Sequence, residues 1–338
     1  MDWQQNVSLT HRNTFGLNSQ TRYFAVADST EELRRHLRRA MEEERQTLIL
    51  GGGSNVVLPR DFDGVTIAIA MRGVKVDSDP DTSRLRVVVQ SGENWHSLVR
   101  LCIGKGIFGL ENLALIPGNV GAAPIQNIGA YGVELSEFVD FVEAMEAKTG
   151  RVVKLTKEEC GFGYRDSVFK RELAGSLVIT AVGLSLHTRP RLVLDYPDLG
   201  AELERMGLTK PLPADVCEAV IRMRRRKLPD PRLVGNAGSF FKNPVVSDDV
   251  LKRLQELHTD VPCFKSASGC KLAAAWLIDQ CGWKGRRCGP VGVWKHHALV
   301  IVNHGHATSE DVLRLAASIK ESVVARFGIE LSVEPTIA

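Results

Sequence analysis

The chain has no apolar run of about 20 residues, the length a membrane-spanning helix needs, so no crossing of a bilayer is expected. Its first twelve residues are polar and lack the apolar middle of a secretory signal, which makes cytoplasmic residence the expectation. An excess of one charge is missing too. The 43 Lys and Arg nearly balance the 40 Asp and Glu, a net charge of +3, and so small a field excludes a general nucleic-acid partner. Cysteine is sparse: seven residues with no CxxC pair and no zinc spacing, read as reduced thiols. Cys102, Cys160 and Cys217 sit in apolar or helical patterns and are expected to be packing residues. His296-His297 and His304-Gly305-His306 have no carboxylate or cysteine at ligand spacing, so no metal is expected. No GxGxxG fingerprint and no Gly-Lys-Ser/Thr ending are present, which excludes a dinucleotide fold of the Rossmann kind and a P-loop. There is no internal repeat and no low-complexity tract.

What is present describes a globular protein of two or three domains: 338 residues, 44% hydrophobic and 25% charged. Ser29-Thr30-Glu31-Glu32 reads as a capping box opening a helix to about residue 44, with Leu33, Leu37 and Met41 on one apolar face. Strands are expected at 47–50, 65–70, 85–90, 138–147, 151–156, 177–186, 297–303 and 329–333. Helices are expected at 94–104, 214–227, 248–258, 271–280 and 309–326. In the helix 94–104, Trp95, Leu98, Leu101 and Cys102 share a side, and Gly328 stands where a C-cap glycine of the helix 309–326 belongs. A second capping box, Thr156 to Glu159, precedes a polar segment, and a Pro/Asp-rich connection runs over 190–200. The prolines at 229 and 231 forbid helix continuation and mark a domain edge. Helices and strands mix irregularly, so the fold class is α+β.

Five segments carry candidate chemistry. Gly51-Gly52-Gly53-Ser54-Asn55 follows a strand, and its successive backbone N–H groups could cradle a diphosphate; a tight turn is the alternative. Residues 116–132 are dense in glycine, alanine and carboxamides. Such a wall admits a planar apolar ring at close range, with Gln126 and Asn127 available to its polar edges; a buried crossover is the alternative. Tyr164-Arg165-Asp166-Ser167 offers a guanidinium for a planar carboxylate, or else a surface arginine paired with Asp166. Arg222 to Lys227 is the densest basic run, read either as a solvated helix face or as a pole for a phosphorylated substrate. Ser239 lies in Gly235-Asn236-Ala237-Gly238-Ser239-Phe240-Phe241-Lys242-Asn243-Pro244. Without a histidine beside it, it resembles a proton source more than a nucleophile; a polar turn between two elements is the alternative.

Together these segments resemble the UDP-N-acetylenolpyruvoylglucosamine reductase family. The likeness runs from Asn13-Thr14-Phe15-Gly16 through the 51–55 loop, 109–118 and the glycine-rich wall, Tyr164 to Ser167 and Lys227 to Pro231, and on to 235–244 and 271–278. Leu194-Asp195-Tyr196-Pro197-Asp198-Leu199 is similar to the insertion of the family's type I members, whose tyrosine folds over substrate.

The resemblance implies a three-part α+β flavoprotein. Residues 1–72 and 73–228 would hold FAD in the manner of the vanillyl-alcohol-oxidase (PCMH-like) fold. Residues 229–327 would form a substrate domain, and the terminal strand 328–338 would return to the first part. FAD contacts are then expected at Gly51, Gly52, Gly53, Ser54, Asn55, Pro117, Gly118, Asn119, Gly121, Gln126, Asn127, Gly129 and Ala130. NADPH is the implied hydride source, the sugar nucleotide the substrate, and a monomer the expected state. Ser239 matches the proton donor, and Arg165 with Glu334 matches the pair that stabilises the enolate. Tyr131, Tyr164, Tyr196, Lys227 and Asn243 match the substrate cleft. After Glu334 the chain reads Pro335-Thr336-Ile337-Ala338, where the family carries Val, Arg and a glycine-terminated tail. An oxidase of the same fold and a flavin-binding sensor are the rival readings. Neither gives Ser239, Arg165 and Glu334 a task.

Overall fold

Eleven residues from Leu177 to His187 are apolar almost without interruption, and in the computed structural model they form the central strand of a five-stranded antiparallel sheet. A strand covered on both faces has no reason to alternate. Across that sheet the order is Val152–Thr156, Val139–Glu146, Leu177–His187, Arg84–Gln90 and Val74–Ser78. The register sets Val142 opposite Val182, and Val182 opposite Val89. The structure describes residues 2–78, 84–258, 260–266 and 269–338. They divide into two compact units between which the chain passes more than once.

The first unit comprises Met1–Val7, Thr21–Gly53 and Phe62–Arg225. It holds two cores. One lies between the helix Thr30–Glu42 and a four-stranded sheet ordered Gln4–Ser8, Gln20–Ala27, Asp61–Ile69, Thr47–Leu50, and buries Trp3, Leu33, Leu37, Val65 and Ile67. The larger core sets the helices Trp95–Gly104 and Pro213–Lys227 with the five-stranded sheet through Trp95, Leu98, Val216 and Val220. Asn94 caps the first of these helices, its carbonyl accepting from the Ser97 N–H at 2.9 Å.

The second unit comprises Ser8–Gln20, Ser54–Asp61 and Arg226–Ala338. One sheet runs Gly235–Ser239, Val300–Asn303, Val291–Val293, Arg287–Cys288, and a smaller one Val245–Val246, Gly269–Leu272, Cys263–Ser266. The helices Asp248–Leu257, Ala274–Gln280 and Ser309–Phe327 complete it around Phe240, Phe241, Leu277 and Ile319. Thr308 and Asp311 cap the last helix reciprocally, and Gly328 ends it in the left-handed region at φ 65°.

Several expectations need correction. Met41 and Leu101 are exposed, because each falls just off the buried stripe of its helix. Thr156 and Glu159 do exchange hydrogen bonds, but they close a turn and not a helix. The helix expected from 271 begins at Ala274, since strands on both sides of Gly269–Leu272 supply it with ladder partners. The strand expected from 297 begins at Val300. The 190–200 connection contains the start of a helix, Pro197–Arg205, with proline in its first turn. In 329–333 alternate residues are buried, yet only Val333 finds a strand partner, Phe241, and the final strand is Thr336–Ile337 beside Val56–Val57. Cys263 and Cys270 lie on neighbouring antiparallel strands with their Cα atoms 6.0 Å apart, a pair that the sequence spacing did not single out. Cys102, Cys160 and Cys217 are free and buried.

Candidate active site

In the first unit the glycine-rich wall is held by its backbone. Gly118 O accepts from the Trp95 N–H, Val120 N–H donates to Glu93 O, and Gly121 N–H donates to Ser91 O. The 51–53 loop lies directly against it: a Cβ at Gly52 would stand 2.9 Å from Gly118 Cα and 3.1 Å from Asn119 Oδ1. A Cβ at Gly121 would stand 2.5 Å from that of Ser91. No side chain could replace these glycines without moving backbone. Beside them the Ser91 hydroxyl is buried with no hydrogen-bond partner among the described residues. Backbone packed this closely beside an unsatisfied buried hydroxyl is compatible with a flat heterocycle with polar edges such as a flavin.

Asn127 is otherwise engaged. Its amide donates to Glu134 Oε2 at 2.9 Å and to Gly163 O at 3.0 Å, while its carbonyl accepts from Ser136 N–H. With both amide hydrogens spent inside the protein, its expected side-chain bond to a ring edge is corrected: the residue braces the wall. Gln126, Gly129 and Ala130 line the same stretch, half-buried.

Arg165 is not paired with Asp166. Asp166 binds Arg171, and the Arg165 guanidinium donates to Gly129 O and lies 5.3 Å from the centre of the Tyr164 ring. Its backbone sits in the left-handed region at φ 53°, as does Tyr131 at 51°. Two non-glycine residues in that region mark a local conformation fixed by its surroundings. Tyr131 is fixed further. Its carbonyl accepts from the buried Asn112 amide, which also binds Val193 O, and its ring meets that of Tyr196 edge to face at 5.3 Å. Tyr131, Tyr164, Arg165 and Tyr196 thus belong to one connected surface with the wall, Tyr196 at the mouth of the helix Pro197–Arg205.

The basic run resolves residue by residue. Arg222 is exposed and pairs with Glu218 at 2.9 Å. Arg224 turns inward and donates from Nε to Leu115 O at 3.2 Å. Leu115 is itself left-handed at φ 56°, and its N–H is accepted by His96 Nδ1 at 3.0 Å. Burial, followed by the neighbouring Arg100, Arg225 and Arg224, pushes the His96 pKa below its ordinary value. His96 and Arg224 escaped the sequence reading because nothing in their spacing points at Leu115.

In the second unit, Ser239 ends a strand opposite Val300, with an irregular register between Asn236 and Ser239. Gly238, left-handed at φ 71°, makes that turn, its N–H held by Asn236 Oδ1. Glu334 reaches the same place from the far end of the chain: its N–H donates to Phe240 O at 2.9 Å, and Lys242 N–H donates to Ser332 O. The backbone of Glu334 is therefore tied to the residue after Ser239. Asn243 lies just beyond, its carbonyl accepting from Ala274 N–H, which leaves its amide hydrogens for other partners. Lys227 ends its helix half-buried. Asn55 O accepts from Thr336 N–H, so the second half of the 51–55 loop is bound to the C-terminal strand.

Comparison with known proteins identifies what the chain is similar to. Residues 21–156 match the model of an FAD binding domain, and residues 230–338 match the C-terminal domain model of UDP-N-acetylenolpyruvoylglucosamine reductase. The chain is 44% identical over 339 residues to the reductase of that name from Chromobacterium violaceum, covering 100% of this chain and 99% of the relative. It is 45% identical over 338 residues to that of Pseudomonas aeruginosa, with the same coverage. The crystal structure of the reductase from Thermus caldophilus superposes with a TM-score of 0.68 at 25% identity, over 99% of both chains.

Proposed function

The chain belongs to the UDP-N-acetylenolpyruvoylglucosamine reductase family, an FAD-dependent oxidoreductase of α+β fold, and from that premise we propose that it reduces the enolpyruvyl ether of UDP-N-acetylglucosamine to UDP-N-acetylmuramate at the expense of NADPH. The observation that carries the residue assignment is the tie between Glu334 and Phe240, which joins two distant segments of the chain next to Ser239. The product is a precursor of peptidoglycan, so the reaction serves cell-wall synthesis, with the enzyme acting as a cytoplasmic monomer. The two cores of the first unit would correspond to the two parts that hold FAD, and the second unit to the substrate part.

Bound FAD would supply the hydride for C3 of the enolpyruvyl group. Gly51 to Asn55 would receive its diphosphate, and Pro117 to Ala130 would receive its ring. Addition at C3 places negative charge on C2 and the adjoining carboxylate. Arg165 would hold that charge where it develops, the kind of contact that lowers a barrier most. An ionised Glu334 would repel it, so Glu334 acts protonated or through a shared proton. Ser239 would then deliver the proton to C2. An alkyl hydroxyl is a weak acid, but an enolate carbon shielded from water is a strong base. Lys227 and Tyr196 would face the diphosphate and nucleotide, with Tyr131, Tyr164 and Asn243 completing the cleft.

Ser239→Ala is expected to retain FAD and to oxidise NADPH at the wild-type rate. Its reoxidation by the enolpyruvyl sugar nucleotide should fall about 10²–10⁴-fold, the span of a general acid. Anaerobic rapid mixing of the two half-reactions separates them. Unaltered reoxidation in the variant would eliminate Ser239 as the donor.

A further inference from the structure

Between the strand that ends at His187 and the helix that begins at Pro197 the chain has no regular structure. Arg189 to Arg191 are exposed, and Leu192, Val193 and Leu194 lie half-buried against the larger core of the first unit. Among the described residues, the stretch from Arg189 to Asp195 makes a single hydrogen bond: Val193 O accepts from Asn112 Nδ2 at 2.9 Å. The same nitrogen donates to Tyr131 O at 2.8 Å. Asn112 lies in the turn Glu111–Leu113 and is only 2% exposed. One amide group, with both hydrogens spent, therefore staples this segment to the backbone of the glycine-rich wall. Close packing accompanies the staple, since a Cβ on Gly132 would stand 3.5 Å from Val193 Cγ1. Three residues beyond the staple comes Tyr196, whose ring meets that of Tyr131 edge to face at 5.3 Å.

Apolar contact alone would bury the segment without fixing its place along the wall, because the hydrophobic effect has no direction. A hydrogen bond has one. A buried amide shared by two carbonyls sets where each lies relative to the other. We propose that Asn112 is a positioning residue for the sugar nucleotide: by holding Val193 to Tyr131 it fixes the segment that carries Tyr196 and sets the two tyrosine rings as one face of the cleft. The inference rests on the functional reading above, in which both tyrosines meet the substrate. A segment ordered in advance need not be ordered when substrate binds, so its release should appear in affinity and not in the chemical step.

Asn112→Ala removes both bonds. With FAD-loaded protein, the KM for the enolpyruvyl sugar nucleotide should rise about tenfold while kcat stays near wild type. In a Tyr196→Ala background the same substitution should raise KM no further, because the residue through which Asn112 acts is already gone. Trypsin supplies a readout apart from activity. It does not cut before Pro190, so cleavage after the exposed Arg191 reports on this stretch, and the Asn112 variant should be nicked there faster than wild type. A KM equal to wild type overturns the proposal, as do additive losses in the double variant or unaltered cleavage after Arg191. Should the alanine variant fail to fold, Asn112→Ser, whose one O–H can meet only one of the two carbonyls, carries the same three tests with the same outcomes deciding. A wild-type chain that does not turn over the enolpyruvyl sugar nucleotide sinks the functional reading instead, and the tryptic comparison still tests whether Asn112 holds the segment.

Discussion

At the scale of single residues, the site is defined as much by missing side chains as by present ones. Gly52 is required because its Cβ would press on the backbone of Gly118, which cannot swing aside as a side chain can. Gly52→Ala is therefore expected to push the 118–119 backbone aside at a cost of about 1–3 kcal/mol. FAD retention should fall with it, while the fold persists. Recovery of flavin fluorescence on dilution of the purified variant measures this, and retention equal to wild type would show that the loop does not contact the cofactor. Arg165, Ser239 and the glycines were picked out as candidates from residue type and neighbours alone. Asn127 was legible as important, but its role was not. Its three hydrogen bonds reach residues 134, 136 and 163, and no local pattern announces partners that far away.

Among the elements, the helix Trp95–Gly104 does more than pack. Its His96 accepts from the backbone of Leu115, at the head of the wall, and can do so only while Nδ1 is unprotonated. The folded state lowers the His96 pKa through burial and through Arg100, Arg225 and Arg224. Below the ordinary histidine value near 6.5, the unfolded chain therefore binds a proton that the folded chain refuses, and stability falls as pH falls through that window. His96→Asn keeps an acceptor and does not titrate. Between pH 7.5 and pH 5 it should lose less stability than wild type, measured by chemical denaturation at each pH. His36, likewise lowered by burial, titrates in both proteins and cancels. Equal pH dependence would rule out the bond as drawn. Elements with long periodic patterns, such as Ser309–Phe327 and Leu177–His187, were readable from the sequence. Short ones such as Gly269–Leu272 were not, because four residues carry too little periodicity to outweigh a helical neighbour.

For the molecule as a whole, a cofactor that binds only the folded chain must raise its stability by mass action. Free FAD at about 100 times its dissociation constant should add about 2.7 kcal/mol. The melting temperature of the wild type should climb with FAD concentration, and that of Gly52→Ala should climb less. A calorimetric series in added FAD reads this directly, and a melting temperature indifferent to FAD would contradict the cofactor assignment.

The sequence by itself determined the family of this protein and pointed to the residues proposed for its chemistry. Glycines, a guanidinium, a hydroxyl and a terminal carboxylate are recognisable by type and immediate context, because the steric and acid–base properties they bring are local. It also determined the class of fold, through the mixture of helical and strand periods. Only the tertiary structure decided which arginine of the basic run turns inward, what anchors Asn127 and Leu115, and that Glu334 is bound next to Ser239 across nearly a hundred residues of chain. Those outcomes depend on contacts between distant segments, and such contacts are settled by packing and hydrogen-bond satisfaction in the folded state, which no short stretch of sequence encodes.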